Sequence, residues 1–250
     1  MIRIIKTEIK KLKRSSILVV GISAIFACVI LTRFMATASN AEEYTVSTFS
    51  NSVIWNSFSI IFPALISVIV GNMIEKERTD DTLKNISVIP ISFRRLISGK
   101  LLVGVFLALV LGVVQFLITL IVSLISGYPV VGILLAGKSL CQMVIMNVLI
   151  YVAVAPIIVV TCQKQGGFMK GVVFAFFYGF VGIFAAGHDI GDFYPITAGL
   201  GLIQYQSDKP VEYKVAIELI VIFTMLVLSI ILIATARNKD IEREKTKKRR

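Results

Sequence analysis

The sequence predicts an all-α membrane protein with six transmembrane helices. Three observations carry that prediction. Of the 250 residues, 56% are hydrophobic and only 16% are charged, whereas a soluble domain carries about a quarter charged residues. The apolar residues gather in blocks with at most one charge each, near the roughly 20 residues that cross about 30 Å of hydrocarbon as a helix. The cations crowd into alternate connections: 22 of the 26 Lys and Arg lie before the first block, between the second and third, between the fourth and fifth, and after the sixth. This bias puts both termini in the cytoplasm. The net charge of +11 therefore reads as membrane anchoring. A nucleic-acid partner is not expected, because no soluble basic fold with a readable motif is present.

In chain order, residues 1–15 (MIRIIKTEIKKLKRS) set Ile2, Ile5, Ile9 and Leu12 on one helical face and Arg3, Lys6, Lys10 and Lys13 on an adjoining one. A basic amphipathic helix of this kind lies among lipid headgroups, each cation contributing on the order of 1 kcal/mol near an anionic leaflet. The plainer alternative is a cationic flank without fixed structure. Spans follow at Ser16–Ala36, Val53–Ile74, Leu101–Ser126, Ser139–Thr161, Gly171–Ala186 and Ala216–Ala236, and residues 237–250 form a basic cytoplasmic tail. The chain thus reads as one domain, 1–250, with its spans inside 16–236. The first span, with its basic flank and Ala36-Thr37-Ala38, resembles a cleavable signal peptide. Its length, and Arg33 ahead of the small residues, favour an uncleaved helix.

GILLAGKS, Gly132 to Ser139, fits the phosphate-loop pattern G-x-x-x-x-G-K-[ST]. That pattern has meaning only between a strand and a helix. Here it falls in the outer loop between the third and fourth spans, and no acidic residue lies between Asp81 and Asp189 to hold Mg²⁺. The match reads as coincidence, and no cofactor is expected on this chain. Cys28, Cys141 and Cys162 sit in or beside apolar blocks without metal-ligand spacing, as packing residues do. The single histidine, His188, lies outside the fifth span, so no buried Ser-His pair can be built. Catalysis by this chain is not expected.

Inside the spans the polar residues are few. Gln115 and Asn147 fall in the third and fourth spans, and the one acid assigned to a span, Glu218, lies near the outer end of the sixth. Interhelical hydrogen bonding or substrate contact would each account for Gln115 and Asn147. The three are the candidate substrate-path residues. A proton- or sodium-coupled carrier keeps ionisable groups near the midplane. None is found there, so the energy for transport has to come from a partner.

The connection from Glu75 to Lys100 carries four acids and six bases in 26 residues and cannot sit in hydrocarbon. Glu75, Lys76, Glu77 and Arg78 continue the second helix into the cytoplasm. Asp80 and Asp81 suit the first turn of a new short helix, where carboxylates meet the positive end of the dipole. Pro90 ends that helix by forcing Ile89 out of helical geometry, and Arg94, Arg95 and Lys100 mark the entry to the third span. The residues taken alone leave two readings, a short surface helix or a solvated charged hairpin.

Glu75, Glu77, Thr82-Leu83-Lys84, Pro90-Ile91-Ser92 and Gly99-Lys100 follow the order E-x-E, T-L-K, P-I-S, G-K. In this order the segment resembles the cytoplasmic loop of type-2 ABC exporter permeases. TEIKKLKRSS before the first span and FPALISVIV in the second are similar to the lantibiotic-protection subgroup, with bacitracin-type permeases as relatives. The likeness covers the six-span plan and is sharpest over residues 6–15 and 60–105. The resemblance implies that the loop forms a coupling helix docking on a separate ATPase, with Glu75, Glu77, Arg78, Thr82, Leu83, Lys84, Ile86, Pro90, Arg94 and Lys100 as the coupling residues. It makes residues 1–15 the family's connecting helix and places short re-entrant helices in the outer segment 187–215, which is apolar for a loop. A mobile loop is the alternative for that segment.

The function expected from the resemblance is that of a permease subunit of the bacterial cytoplasmic membrane. Two ATPase subunits, carrying ATP and Mg, and a second permease chain, identical or paralogous, would complete the transporter. Its expected substrate is an amphipathic peptide or lipid-like molecule, a lantibiotic or similar antimicrobial peptide above all, exported for self-immunity. A scaffold or sensor subunit without transport of its own is the reading from another class.

Overall fold

The computed structural model describes residue 11 and residues 16–38, 44–79, 93–130, 132–188, 190–207 and 213–236, with residues 77–79 described by their backbone. The expected N-terminal amphipathic helix and the expected coupling helix fall almost wholly outside these residues. Helices dominate the described chain, which contains no strand. They are α1 (Ile17–Ala38), α2 (Val46–Asn56), a π-helical turn (Ser57–Ile61), α3 (Phe62–Thr79), α4 (Phe93–Ile125), α5 (Ile133–Thr161), α6 (Gly167–Ala186), a 3₁₀ turn (Gly191–Phe193), α7 (Ala198–Leu202) and α8 (Val215–Thr235). The run Val46–Lys76 is a single path across a bilayer, and with α1, α4, α5, α6 and α8 it makes six helical stretches long and apolar enough to cross.

The spans are those expected in number and order, but four begin several residues earlier, the fifth at Gly167. The second starts at Val46, where Thr45 and Thr48 form a reciprocal capping box. Such a box satisfies two backbone donors that a helix start leaves unpaired, so the polar run through Asn51 and Ser52 is helical. The third starts at Phe93 and runs 33 residues, about 50 Å at the α-helical rise. Its early charges sit at the rim, where Lys100 Nζ donates to the Met73 carbonyl at 2.6 Å. The fourth starts at Ile133. The Gly132–Ser139 stretch is therefore mostly helix and not the loop expected of it: Ser139 Oγ bonds back to the Leu135 carbonyl at 3.2 Å.

The composite second span runs through the middle of the bundle. Phe58, Phe62, Ile66, Ile69 and Val70 are fully buried along it. Its π-helical turn has a visible cause. Pro63 has no N–H to give the Ser59 carbonyl four residues back, and its ring crowds that carbonyl. The widened turn, in which the Phe62 N–H reaches Ser57 O, absorbs the mismatch. Such bulges recur where a helix must accommodate an irregularity.

Against this turn lies α6. Gly167, Gly171, Ala175, Gly179 and Gly182 form its buried face, a small-residue stripe of the kind that lets membrane helices approach closely. The fit is tightest at Gly179, where a Cβ would stand 2.5 Å from Ser59 O and 2.9 Å from Pro63 Cγ. One turn below the rim, a Cβ on Gly71 of α3 would stand 3.0 Å from Phe168 Cβ. The other face of α6 presents Phe174, Phe177, Phe180 and Phe184 outward, as a lipid-facing surface does. The α4 and α5 backbones also approach closely, since a Cβ on Gly112 would stand 2.7 Å from Val144 Cα. The most peripheral helix is α8, which buries only Glu218 and Ser229.

The bundle has two rims. One, here the basic rim, carries the C-terminal end of α3, the start of α4, the α5–α6 turn and the end of α8. At the opposite rim Arg33 donates through Nε to Ser126 Oγ at 2.6 Å and lies over the Tyr128 ring, 5.1 Å from its centroid. Tyr128 in turn stacks on Tyr44 at 5.6 Å. Spans 1, 2 and 3 are joined there through Arg33, the one cation of the first span.

A candidate coupling joint and the intramembrane polar groups

The expected coupling residues begin on the last turns of α3. Glu75 is buried there, and its Oε1 accepts the Gly166 N–H at 2.7 Å. Gly166 is the residue that opens α6, and its φ of +68° is left-handed, which glycine adopts without strain. A carboxylate facing the start of a 20-residue helix also meets the positive end of its dipole. The Glu75 contact thus ties the second span to the fifth.

Lys100 makes the second tie. Its side chain is 1% exposed, and its bond to Met73 O fixes the start of α4 to the end of α3. A buried ammonium without an acceptor would cost several kcal/mol, so this contact fixes where the third span enters the bundle. Arg94 makes the third tie, from Nε to the Ala236 carbonyl at 3.3 Å. That carbonyl follows the last turn of α8, where a cation is favoured by the negative end of the dipole. The helix ends on either side of residues 80–92 are therefore both anchored, and the anchors reach spans 2, 3, 5 and 6. Glu77 and Arg78 lie on the helical backbone of α3. Thr82, Leu83, Lys84, Ile86 and Pro90 lie outside the described residues.

Two of the three candidate path residues are brought together. Asn147 Nδ2 donates to Gln115 Oε1 at 2.9 Å, a buried bond between α4 and α5. Such a bond contributes on the order of 1 kcal/mol in a membrane. Glu218 sits apart, at the start of α8 near the opposite rim. A cavity of about 310 Å³ opens at that rim between α1, α2 and the segment after α7. Thr32, Trp55, Asn56 and Tyr205 line it, and none of the three path residues does. Its wall mixes aromatic rings with hydroxyl and amide groups and carries no charge.

The segment expected as re-entrant helices or a loop folds back onto the bundle as the 3₁₀ turn and α7. Gln142 of α5 donates to the carbonyls of Ile203 at 2.9 Å and Gln204 at 3.3 Å. Tyr194 donates from its hydroxyl to Tyr178 O at 2.5 Å, and burial raises its pKa. Tyr213, just ahead of α8, is pushed up to about 12 by burial and then by the carboxyl groups of Glu218 and Asp192.

Sequence reasoning missed several of these partners. The Gly166-Gly167 pair is a turn signal that calls for a positive φ, and it marks the point where Glu75 docks. Gln142 carries the same signal as Gln115, a lone amide in an apolar run.

The Gly132–Ser139 pattern gives a direct prediction. Lys138 is an exposed side chain on a helical turn of α5. Changing Lys138→Ala should leave transport within about twofold, under roughly 0.5 kcal/mol in barrier. A phosphate-holding lysine would instead lose nearly all activity in the same transport assay.

A family model described as ABC-2 family transporter protein matches residues 4–182 of the chain. Neither the curated proteins nor the solved structures include a match.

Proposed function

The chain belongs to the ABC-2 transporter family, and on that premise we propose that its joint at the basic rim is where a partner ATPase drives the membrane spans. As a permease subunit it works with an ABC ATPase in the membrane. The observation that carries the reading is the joint itself. Residues 80–92 connect α3 to α4, and the helix ends that flank them are tied to spans 2, 3, 5 and 6 through Glu75, Lys100 and Arg94. A displacement of that segment would move four spans together, because packed elements shift as bodies and do not deform continuously.

On this reading the basic rim is cytoplasmic, and both termini lie there in a bacterial plasma membrane. Within residues 80–92, a short helix that Asp80 and Asp81 open and Pro90 ends docks in a groove of the ATPase. Leu83 and Ile86 are its apolar anchors, Lys84 lies at the rim of the contact with Thr82 nearby, and Glu77 and Arg78 lead into it from α3. ATP and Mg are held by the partner. Two permease chains, identical or paralogous, stand over two ATPase subunits. The substrate is an amphipathic peptide, a lantibiotic or similar antimicrobial peptide, moved outward from the membrane. The uncharged aromatic and polar wall of the opposite-rim cavity supports a substrate of that kind. Gln115 and Asn147 stay paired and space the third and fourth spans, so the path runs elsewhere.

The test uses inside-out vesicles holding the chain and its ATPase, loaded with a fluorescent lantibiotic. ATP should clear the peptide from the membrane, and an ATPase variant that binds but does not hydrolyse ATP should not. Peptide-stimulated signalling without any clearance would favour the sensor reading.

A further inference from the structure

The cavity at the rim opposite the joint, about 310 Å³, lies at the small end of ligand sites, whose range starts near 300 Å³. It has room for one bulky residue and the main chain beside it. Its wall includes Tyr44, Trp55 and Tyr205, and the last two rings stand 5.9 Å apart at 30°, one broad aromatic surface. Most of its hydroxyl protons are already given away. Thr32 donates from Oγ1 to the Cys28 carbonyl at 2.9 Å, Ser52 to Thr48 O at 3.2 Å, and Tyr205 to Asn51 O at 3.3 Å. Asn56 is held on its donor side: its Nδ2 donates to Thr32 Oγ1 at 3.0 Å and stands 3.8 Å from Met35 Sδ. Thr32 has given its one proton to Cys28 and can only accept from Asn56, which fixes the amide with Nδ2 toward α1. Asn56 Oδ1 is then without a partner among the described residues, as are Trp55 Nε1 and the Tyr44 hydroxyl. The wall thus offers one neutral amide acceptor, two donors and an aromatic face.

We propose that this cavity binds one uncharged, ring-bearing residue of a peptide, with Asn56 Oδ1 accepting the main-chain N–H of that residue. The site rests on the reading of the substrate as a peptide and names the part of it that is recognised. A main-chain unit brings one N–H and one C=O, which Asn56 Oδ1 and either donor satisfy, while the ring covers Trp55 and Tyr205 as aromatic pairs favour. A saccharide of the same size would bring several hydroxyl oxygens to a wall with two donors left. Hydroxyls buried without partners weaken binding more than the paired ones strengthen it. A cationic side chain would lose its water without meeting a carboxylate from the described lining residues. Trp55 and Asn56 close α2 directly ahead of the π-helical turn, so an occupied cavity bears on the bend of the central span.

Trp55 is the single tryptophan of the chain, so its emission reports the site without a label. The experiment uses the full chain in lipid vesicles, without an ATPase, and acetyl-Gly-Phe-Gly-amide as the probe. Emission should shift to the blue and saturate as the peptide displaces water from the half-buried indole. The same peptide with its Phe N–H replaced by an ester oxygen should bind about fivefold more weakly, the worth of one hydrogen bond. Asn56→Ala should bind both probes alike, at the weaker affinity, which apolar contact alone would not produce. Where Asn56→Ala fails to accumulate, Thr32→Val serves, since it frees the amide to turn and should shrink the same difference. No saturable response to the peptide overturns the proposal. So does an undiminished fivefold difference in both variants, or a response to maltose in place of the peptide. Because no transport is read, a chain that binds the probe but fails to clear a lantibiotic loses the transport reading and keeps this site. Clearance with a silent Trp55 does the reverse.

Discussion

Replacing Gly179 by leucine should leave little folded protein in the membrane. At this position α6 touches the π-helical turn of the second span, with Ser59 O and Pro63 Cγ at 2.5 and 2.9 Å from where a Cβ would stand. Neither neighbour has a flexible end to move aside. One is backbone, and the other is a ring fixed by its own chain. Overpacking a close site costs about 1–3 kcal/mol when side chains can shift, and a rigid contact along two central spans costs more. The check is the monodisperse fraction of solubilised protein by size-exclusion chromatography. Phe177→Leu, on the outward face of the same helix, should leave that fraction unchanged. Equal recovery of Gly179→Leu would mean that α6 does not pack along its glycine stripe.

That contact also shows how far the sequence could be read. Six apolar blocks give the number and order of the spans because the need to bury backbone groups in hydrocarbon leaves few alternatives. The ends were less legible, since the block rule stops at the first polar residues. It stopped short of Val46 because Thr48, Asn51 and Ser52 look like loop, and short of Phe93 because Arg94, Arg95 and Lys100 look too charged for a helix in the bundle. Tertiary contacts reverse both readings: a capping box starts the one helix, and the Met73 carbonyl receives the charge in the other. Glu75 and Lys100 stood out as charges at the ends of a connection. That they are buried, and against what, depends on a glycine 91 residues away and a backbone carbonyl 27 residues away, which no local pattern records. Glu218 could be recognised as the acid of a span, but its occlusion under α7 could not.

The second large effect concerns the segment that the joint holds. Leu83 and Ile86 are proposed as the apolar anchors of the ATPase contact, and buried anchors dominate interface energies, with losses of about 2 kcal/mol or more on truncation. An aspartate at either position places a charge where the partner's groove is apolar, a larger penalty than truncation. Lys84, at the rim of the same contact, should tolerate conservative change. The decisive measurement is co-purification of the ATPase with the full chain, read together with peptide-stimulated ATP hydrolysis. Leu83→Asp and Ile86→Asp, in protein that inserts normally, should lose both, while Lys84→Arg keeps both. Retention of the ATPase and of stimulated hydrolysis by Leu83→Asp and Ile86→Asp would contradict the coupling account and leave residues 80–92 a connection with no part in docking.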